Sequence, residues 1–288
     1  MSIIDGRLLI FLHIPKAGGT TLRELMARQY PADQFLNLRN DRQIDADLQA
    51  LPQLRRDQLR GLAGHVTYGT HTCFNQPGTY FTFLRDPVDR LVSHYAYVRG
   101  NPRHFLHDAV VGDDLSLLDY VTSGLSEELS DDQTRRIAGL SPEAVPTAAD
   151  LETAQRNLAD HFSMAGVVER YDESLVLLSR MAGWRRPYYL ARNVGGDRRP
   201  ATVTAEERAA ILAVNGLDQQ LYDHVRQQLD RAIEEAGPEF AEEMARFQER
   251  NRQYQRLWGT AEGVVDSLRA ARNRIKEASG RWKDGHPA

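Results

Sequence analysis

The residues best suited to chemistry stand early in the chain, where Lys16 is followed by Gly18 and Gly19. The apolar run RLLIFLHI precedes this turn and has the length of a buried parallel strand. Thr20 and Thr21 follow the glycines and lead into apolar residues at helical spacing. A strand, a glycine turn and a helix in this order predict an anion site, because free N–H groups and the positive end of the helix dipole meet there.

The order of residues in this turn differs from that of a Walker A loop. A Walker A loop places its lysine after the last glycine, whereas Lys16 precedes both Gly18 and Gly19. The turn therefore favours a phosphate loop of another kind. Taken alone, it is also compatible with a structural turn, since glycines serve tight turns in any protein.

Arg85 and Ser93 form a second candidate anion site. Arg85 follows the apolar segment 80–84, which we predict to be a strand, and its planar guanidinium suits a phosphate. Ser93 lies about two helical turns into the next helical pattern, so both side chains could face one anion. Alone, the pair could instead be a surface turn with an Arg85–Asp86 ion pair and a solvent-facing serine.

Strand and helix patterns alternate along the chain. Helical patterns occupy 115–123, 131–138 and 150–160, and an apolar strand at 162–168 precedes a helix at 172–181. The alternation predicts an α/β, P-loop-like fold of three layers, in which helices flank a central parallel sheet. Two capping-box patterns, at Thr21 with Glu24 and at Thr204 with Glu207, predict helix starts.

Composition excludes several classes of function. The 288 residues, 41% of them hydrophobic, suffice for a sizeable core, and the net charge of -4 offers no basic field for nonspecific nucleic-acid binding. Cys73 is the single cysteine, which excludes an intrachain disulfide and a cysteine-based zinc cluster. Because no apolar run reaches about 18 residues and the N-terminus lacks signal-peptide features, we expect a soluble cytoplasmic protein without a membrane span.

Both candidate anion sites resemble motifs of the sulfotransferase 2 family, which includes heparan sulfate 2-O-sulfotransferases. Residues 13–20 read HIPKAGGT, similar to the family's HIPKTGGT with a departure at Ala17. Residues 83–95 read FLRDPVDRLVSHY and resemble FLRDPxxRxxSxY. Further similar stretches are 133–135, 166–175 and 192–200, so the resemblance extends over residues 7–230.

In this family the first loop holds the 5'-phosphosulfate of 3'-phosphoadenosine 5'-phosphosulfate (PAPS). The resemblance assigns Lys16 to the bridging oxygen of the departing phosphate and Arg85 and Ser93 to the 3'-phosphate. Arg192 is a second candidate for the 3'-phosphate, with a solvated basic loop as the alternative. The rest of the predicted cofactor-binding loop consists of Pro15, Ala17, Gly18, Gly19, Thr20 and Thr21.

His65 is the predicted catalytic base, because Gly64-His65-Val66 resembles the GHV segment that carries the catalytic histidine of 2-O-sulfotransferases. A histidine has an unperturbed pKa of about 6.5 and can accept a hydroxyl proton near neutral pH. His71 and His94 compete for this role, and His13 is expected to orient the loop by hydrogen bonding. Since Lys16, arginines and backbone N–H groups neutralise the charge, no metal is expected.

The resemblance implies a PAPS-dependent sulfotransferase that moves a sulfonyl group in line to a hydroxyl of a carbohydrate or glycoconjugate, such as a saccharide or glycolipid. A P-loop kinase or ATPase and a noncatalytic nucleotide-binding scaffold are the alternatives. Candidate acceptor loops are residues 36–60 and 101–114. Their arginines could meet an anionic sugar or be solvated surface charges: Arg39, Arg42, Arg55, Arg56, Arg60, Arg99 and Arg103.

A domain boundary is predicted between residues 1–236, the catalytic domain, and residues 237–288, an amphipathic helical extension. Apolar residues of the extension recur at alternating steps of four and three and form a seam along one helical face. The seam packs either against the catalytic domain or against a second copy in a homodimer. Its members are Phe240, Met244, Phe247, Asn251, Tyr254, Trp258, Ala261, Val265, Leu268, Arg272 and Ile275.

Overall fold

The apolar run before the Lys16 turn forms the central strand of a parallel sheet. The structure is a computed structural model that describes residues 4, 6–38, 44–190 and 202–259. Within these residues one sheet has the strand order β2-β3-β1-β4-β5, and each neighbouring pair is parallel. The strands are β1 Leu8–Leu12, β2 Phe35–Asn37, β3 Gly61–Gly64, β4 Gly78–Leu84 and β5 Phe162–Val167.

Helices cover both faces of the sheet. They are α1 Gly19–Gln29, α2 Ile44–Ala50, α3 Gln53–Gln58, α4 Pro87–Gly100, α5 His107–Gly112, α6 Leu117–Thr122, α7 Asp132–Ala138, α8 Ala148–His161, α9 Tyr171–Ala182, α10 Ala205–Val214, α11 Gly216–Glu235 and α12, residues 239–259. The parallel sheet flanked by helices confirms the predicted α/β three-layer class.

Strand β1 is buried on both faces because its side chains alternate between two cores. Leu8 and Ile10 pack with residues of α8 and α11, whereas Leu9 and Phe11 pack with residues of α1 and α9. Each fully buried side chain of this size stabilises the fold by about 1.5–3 kcal/mol relative to an exposed one. The continuous apolar run in the sequence follows from burial on both faces.

Two strands were not predicted, and their sequences explain why. Strand β2 has three residues, and β3 reads GLAG, so neither has a clear apolar pattern. The glycine at the end of β3 permits close packing, since a Cβ at Gly64 would lie 2.9 Å from Leu38 Cβ. These two strands are defined by tertiary packing and by the helices that form in the flanking segments. The β-propensity of their own residues does not define them.

One of the two capping-box predictions is wrong. Helix α1 begins at Gly19 with Gly18 as its N-cap, two residues before the predicted start at Thr21. The other prediction is confirmed at α10, where Thr204 Oγ1 accepts from the Glu207 N–H at 3.1 Å and the Glu207 carboxylate accepts from the Thr204 N–H at 2.8 Å. In α1 the left-handed Gly18 starts the helix earlier than a threonine cap would.

The described part of the C-terminal seam packs against the domain. Phe240 and Phe247 are buried in the core cluster that contains Trp184. The polar interruption at Asn251 is also buried, and its Oδ1 accepts from the Tyr189 N–H at 2.9 Å. Seam positions from Ala261 onward lie outside the described residues. The domain boundary and the homodimer stay predictions.

In the described ranges, none of the helices combines the length and the apolar character needed to cross a lipid bilayer.

Candidate functional site

The carboxyl ends of three adjacent strands bring the predicted site residues to one edge of the sheet. His13 and Lys16 follow β1, His65 follows β3, and Arg85 follows β4. Because β1 lies between β3 and β4, the three segments are neighbours in space. Open parallel α/β sheets bind their ligands at this edge.

The loop after β1 has a backbone shaped for close approach. Lys16 and Gly18 both have left-handed backbone angles, with φ of 66° and 73°. A positive φ is uncommon for a residue with a side chain, so the surrounding structure must hold Lys16 in place. Gly18 offers no side chain to cap α1, and the first turn of α1 contains no acidic residue. The N–H groups of this turn therefore suit an anion.

The HIPKAGGT segment departs from its family pattern at a position where the side chain is in the core. Ala17 is 1% exposed and packs within the apolar cluster beneath the sheet edge. Its backbone alone could contact a ligand, which explains how a threonine hydroxyl can be lost there. Pro15 is also buried, whereas Thr20 and Thr21 are partly exposed.

His13 supports the loop by packing. A Cβ on Gly19 would lie 1.8 Å from the His13 ring, so the ring rests directly on the backbone of the first turn of α1. The His13 ring stacks on Phe11 at 5.3 Å and lies 4.2 Å from the His65 ring, centroid to centroid. Its Nδ1 is buried without a hydrogen-bond partner among the described residues. Ring packing thus holds His13 against the loop, and an orienting hydrogen bond from His13 stays a prediction.

The two motifs are joined by a hydrogen bond. Arg85 Nη1 donates to the Lys16 carbonyl oxygen at 3.1 Å. The Arg85 backbone is fixed from α7, where Gln133 Oε1 accepts from the Arg85 N–H at 3.0 Å and Gln133 Nε2 donates to the Arg85 carbonyl at 2.9 Å. Gln133 was noted in the sequence only as part of a similar stretch. Its reciprocal contact with Arg85 required the structure.

Tyr97 is a site residue that sequence reasoning missed. The Lys16 Nζ lies 4.1 Å from the centroid of the Tyr97 ring, a cation–π contact. Ser93 is one helical turn before Tyr97 on α4, so these two residues share a face of the helix. This face is directed toward the Lys16 loop. Arg192 lies outside the described residues.

His65 is partly buried at the same edge, with its carbonyl oxygen accepting from Arg136 Nη1 at 3.0 Å. Burial, followed by the positive charge of Arg136, lowers the pKa of His65 to about 3. Burial and the neighbouring His65 hold the pKa of His13 well below its ordinary value. At neutral pH the His65 imidazole is therefore uncharged.

The two competing histidines have other surroundings. His71 Nδ1 lies 2.9 Å from the Tyr80 hydroxyl, and its Cβ is close to Gly78 at the amino end of β4, the opposite edge of the sheet. His94 is buried, with its two ring nitrogens 2.7 Å from the Tyr120 hydroxyl and 2.9 Å from Glu128 Oε2. Of these three histidines, His65 is the one that lies beside the loop.

The arginines of the candidate acceptor loops mostly make local contacts. Arg55, Arg56 and Arg60 donate to backbone carbonyls, and Arg99 pairs with Asp114 at 3.2 Å. Arg39 and Arg42 lie outside the described residues, and Arg103 is exposed. These contacts favour structural or solvated roles over a preformed anion site.

The lowered pKa of His65 predicts a loss of stability in mild acid. The unfolded chain binds a proton at this histidine near pH 6.5, whereas the folded protein does not, so the free energy of unfolding falls as the pH drops. Between pH 6.5 and 5.5 we expect His65 to account for about 1 kcal/mol of this fall. Urea unfolding at both pH values, for the wild type and His65→Asn, measures it. Equal pH dependence of the two proteins would contradict the prediction.

Comparisons with known proteins agree with the sequence resemblance. A family model described as "Sulfotransferase family" matches residues 2–114, and one described as "Galactose-3-O-sulfotransferase" matches residues 138–278. A uronyl 2-sulfotransferase homolog of Drosophila melanogaster is 30% identical over 101 residues, which are 32% of this chain and 20% of that protein. Galactose-3-O-sulfotransferase 3 of Bos taurus is 34% identical over 94 residues, 32% of this chain and 22% of that protein.

Among solved structures, mouse sulfotransferase SULT7A1 complexed with PAP superposes with a TM-score of 0.36 and 13% identity. The superposition covers 73% of this chain and 64% of that chain. The chain spans 20–22% of the length of the two curated relatives.

The parallel sheet and the glycine-containing loop at its carboxyl edge define an α/β protein whose loop geometry suits an anion. The two family models, one in each half of the chain, are both models of sulfotransferases. These comparisons confirm the resemblance to sulfotransferase families that was found in the sequence.

Proposed function

We propose that this chain is a PAPS-dependent sulfotransferase that transfers a sulfonyl group to a hydroxyl of a saccharide. The observation that supports this most directly is the hydrogen bond from Arg85 to the Lys16 carbonyl. This bond connects two motifs that are 69 residues apart in sequence, so the cationic side chains of both motifs lie at the same edge of the sheet. The uncharged His65 lies on the other side of β1 from Arg85.

The loop fits the anionic end of PAPS. Gly18 frees the first N–H groups of α1 from a side-chain cap, and Gly19 lets the backbone lie flat against His13. The Lys16 amine and the Arg85 guanidinium provide two positive charges beside these N–H groups. We assign Pro15, Lys16, Ala17, Gly18, Gly19, Thr20 and Thr21 to the 5' end of PAPS, and Arg85, Ser93 and Arg192 to the 3'-phosphate.

PAPS supplies a sulfonyl group activated by its bond to a phosphate oxygen. The acceptor oxygen forms a bond to sulfur while the bond between sulfur and that phosphate oxygen breaks. Lys16 stabilises the negative charge that develops on the departing phosphate, and His65 takes the proton of the acceptor hydroxyl. The products are a sulfate ester and adenosine 3',5'-bisphosphate (PAP).

The acceptor class rests on the relatives. The names of both relatives refer to sugars, a uronyl residue in one and galactose in the other. We therefore propose a carbohydrate or glycoconjugate acceptor. The cytoplasmic location stays a prediction of the sequence.

The ligand preference tests this function against the kinase and scaffold alternatives. Calorimetric titration should show binding of PAP without Mg²⁺ in preference to ATP with Mg²⁺. Arg85→Ala should weaken PAP binding about 10- to 100-fold, because a hydrogen bond to a charged group contributes about 1.5–3 kcal/mol. Arg156→Ala, which changes an exposed arginine on α8 that contacts Thr153, is the control and should leave PAP binding unchanged.

A preference for ATP with Mg²⁺ would favour the kinase alternative. PAP binding without sulfonyl transfer to any member of a broad sugar panel would favour the scaffold. Equal PAP affinities for the wild type and Arg85→Ala would contradict the assignment of Arg85.

A further inference from the structure

Three aromatic side chains form a continuous surface beside the Lys16 loop. The Tyr97 and His104 rings meet edge to face at 5.5 Å, and the His104 and Phe105 rings stack at 4.8 Å, centroid to centroid. Tyr97 is 44% exposed and Phe105 55% exposed. We call this surface, formed by Tyr97, His104 and Phe105, the aromatic platform. Contiguous exposed apolar surface of this kind marks binding sites more often than scattered single residues do.

The platform is fixed from below. Asn101 Nδ2 donates to the Tyr97 hydroxyl at 3.0 Å, and His104 Nδ1 accepts from the Leu106 N–H at 3.3 Å. The Leu106 side chain is buried in the core cluster around α4. The rings are therefore held in place before any ligand binds, which lowers the entropic cost of binding.

The platform adjoins the catalytic groups that we propose. Lys16 Nζ lies 4.1 Å from the Tyr97 ring centroid, so one end of the platform touches the amine assigned to the departing phosphate. Burial and the neighbouring His94 lower the pKa of His104, and the charges of Glu128 and Lys16 also act on it. His104 therefore lies close enough to Lys16 to share its electrostatic environment.

We propose that the aromatic platform binds the pyranose ring of the acceptor. Aromatic faces are partly negative and pack well against apolar surface, such as the C–H face of a sugar ring. The His104 ring adds a nitrogen capable of hydrogen bonding to a sugar hydroxyl. A sugar on this surface presents its hydroxyl groups next to Lys16. This inference rests on the proposed function, because it assigns the acceptor to the same cleft.

Saturation-transfer NMR tests the platform without requiring turnover. The probes are methyl β-galactopyranoside and methyl β-glucuronide, each added to the protein saturated with PAP. We expect saturation of at least one sugar by the wild type and at least a fivefold weaker signal for Phe105→Ala. A signal from both sugars would show that the platform recognises only the face of the sugar ring. A signal from one sugar would show that the site also distinguishes the carboxylate of the glucuronide, either by binding it or by rejecting it. Either pattern, lost in Phe105→Ala, supports the platform.

The matched control is Trp258→Ala on α12, since Trp258 is 54% exposed and remote in sequence from the platform. It should retain the wild-type signal. Equal signals for the wild type and Phe105→Ala, or no sugar signal from a wild type that binds PAP, would overturn the platform. Failure of the wild type to bind PAP would instead overturn the proposed function, so the two failures are distinguishable.

Discussion

Replacing Lys16 by methionine is expected to lower turnover of sulfonyl transfer about 10²- to 10³-fold, the effect of removing one preorganised electrostatic group at the site of developing charge. The methionine side chain keeps much of the apolar stem but has no charge. The affinity for PAP should fall much less, because Arg85 and the N–H groups of α1 remain. Steady-state kinetics with an accepted sugar and PAP calorimetry measure the two effects separately.

Two controls accompany this prediction. The chain has three lysines, Lys16, Lys276 and Lys283, so Lys276→Met is a matched change that should leave turnover unaltered. An amine-reactive reagent followed by peptide mapping should find Lys16 protected by PAP and the other two lysines unprotected. Loss of PAP binding as large as the loss of turnover would mean that Lys16 holds the ligand without acting on the transferred group.

Replacing Arg90 by methionine is expected to destabilise the fold by about 3–5 kcal/mol, because it leaves the buried Asp218 carboxylate without its charged partner. Arg90 is fully buried on α4, with Nη1 3.9 Å from Asp132 and Nη2 3.9 Å from Asp218. Its Nη2 also donates to the Glu128 carbonyl at 3.0 Å. These contacts fix α4, which carries Ser93 and therefore the predicted 3'-phosphate site. Urea unfolding near neutral pH measures the effect.

Arg99→Met is the matched control, because Arg99 is on the same helix and also pairs with an aspartate. Its partner Asp114 is exposed, so this change should cost less than about 1 kcal/mol. Adding Asp218→Asn to Arg90→Met should recover part of the lost stability, since the substitution removes one unpaired buried charge. Similar costs for Arg90→Met and Arg99→Met would show that the buried pairs contribute little to the fold.

The sequence by itself determined the class of the fold and the loop at its centre. Strand β1 was predictable because burial on both faces requires an unbroken apolar run. The turn at Lys16, Gly18 and Gly19 was predictable because the two glycines stand between an apolar strand pattern and a helical pattern. Longer helices such as α8 and α9 were predictable from periodicity, which is a local property.

The tertiary structure decided what local patterns do not contain. Strand β3 is too short and too rich in glycine to be recognised, yet it brings His65 to the site. The contact of Lys16 with Tyr97 and the hydrogen bond from Arg136 to the His65 carbonyl join residues 81 and 71 positions apart. The identities of such partners depend on which strands are neighbours in the sheet, and strand order is set by packing of the whole chain and not by any one segment.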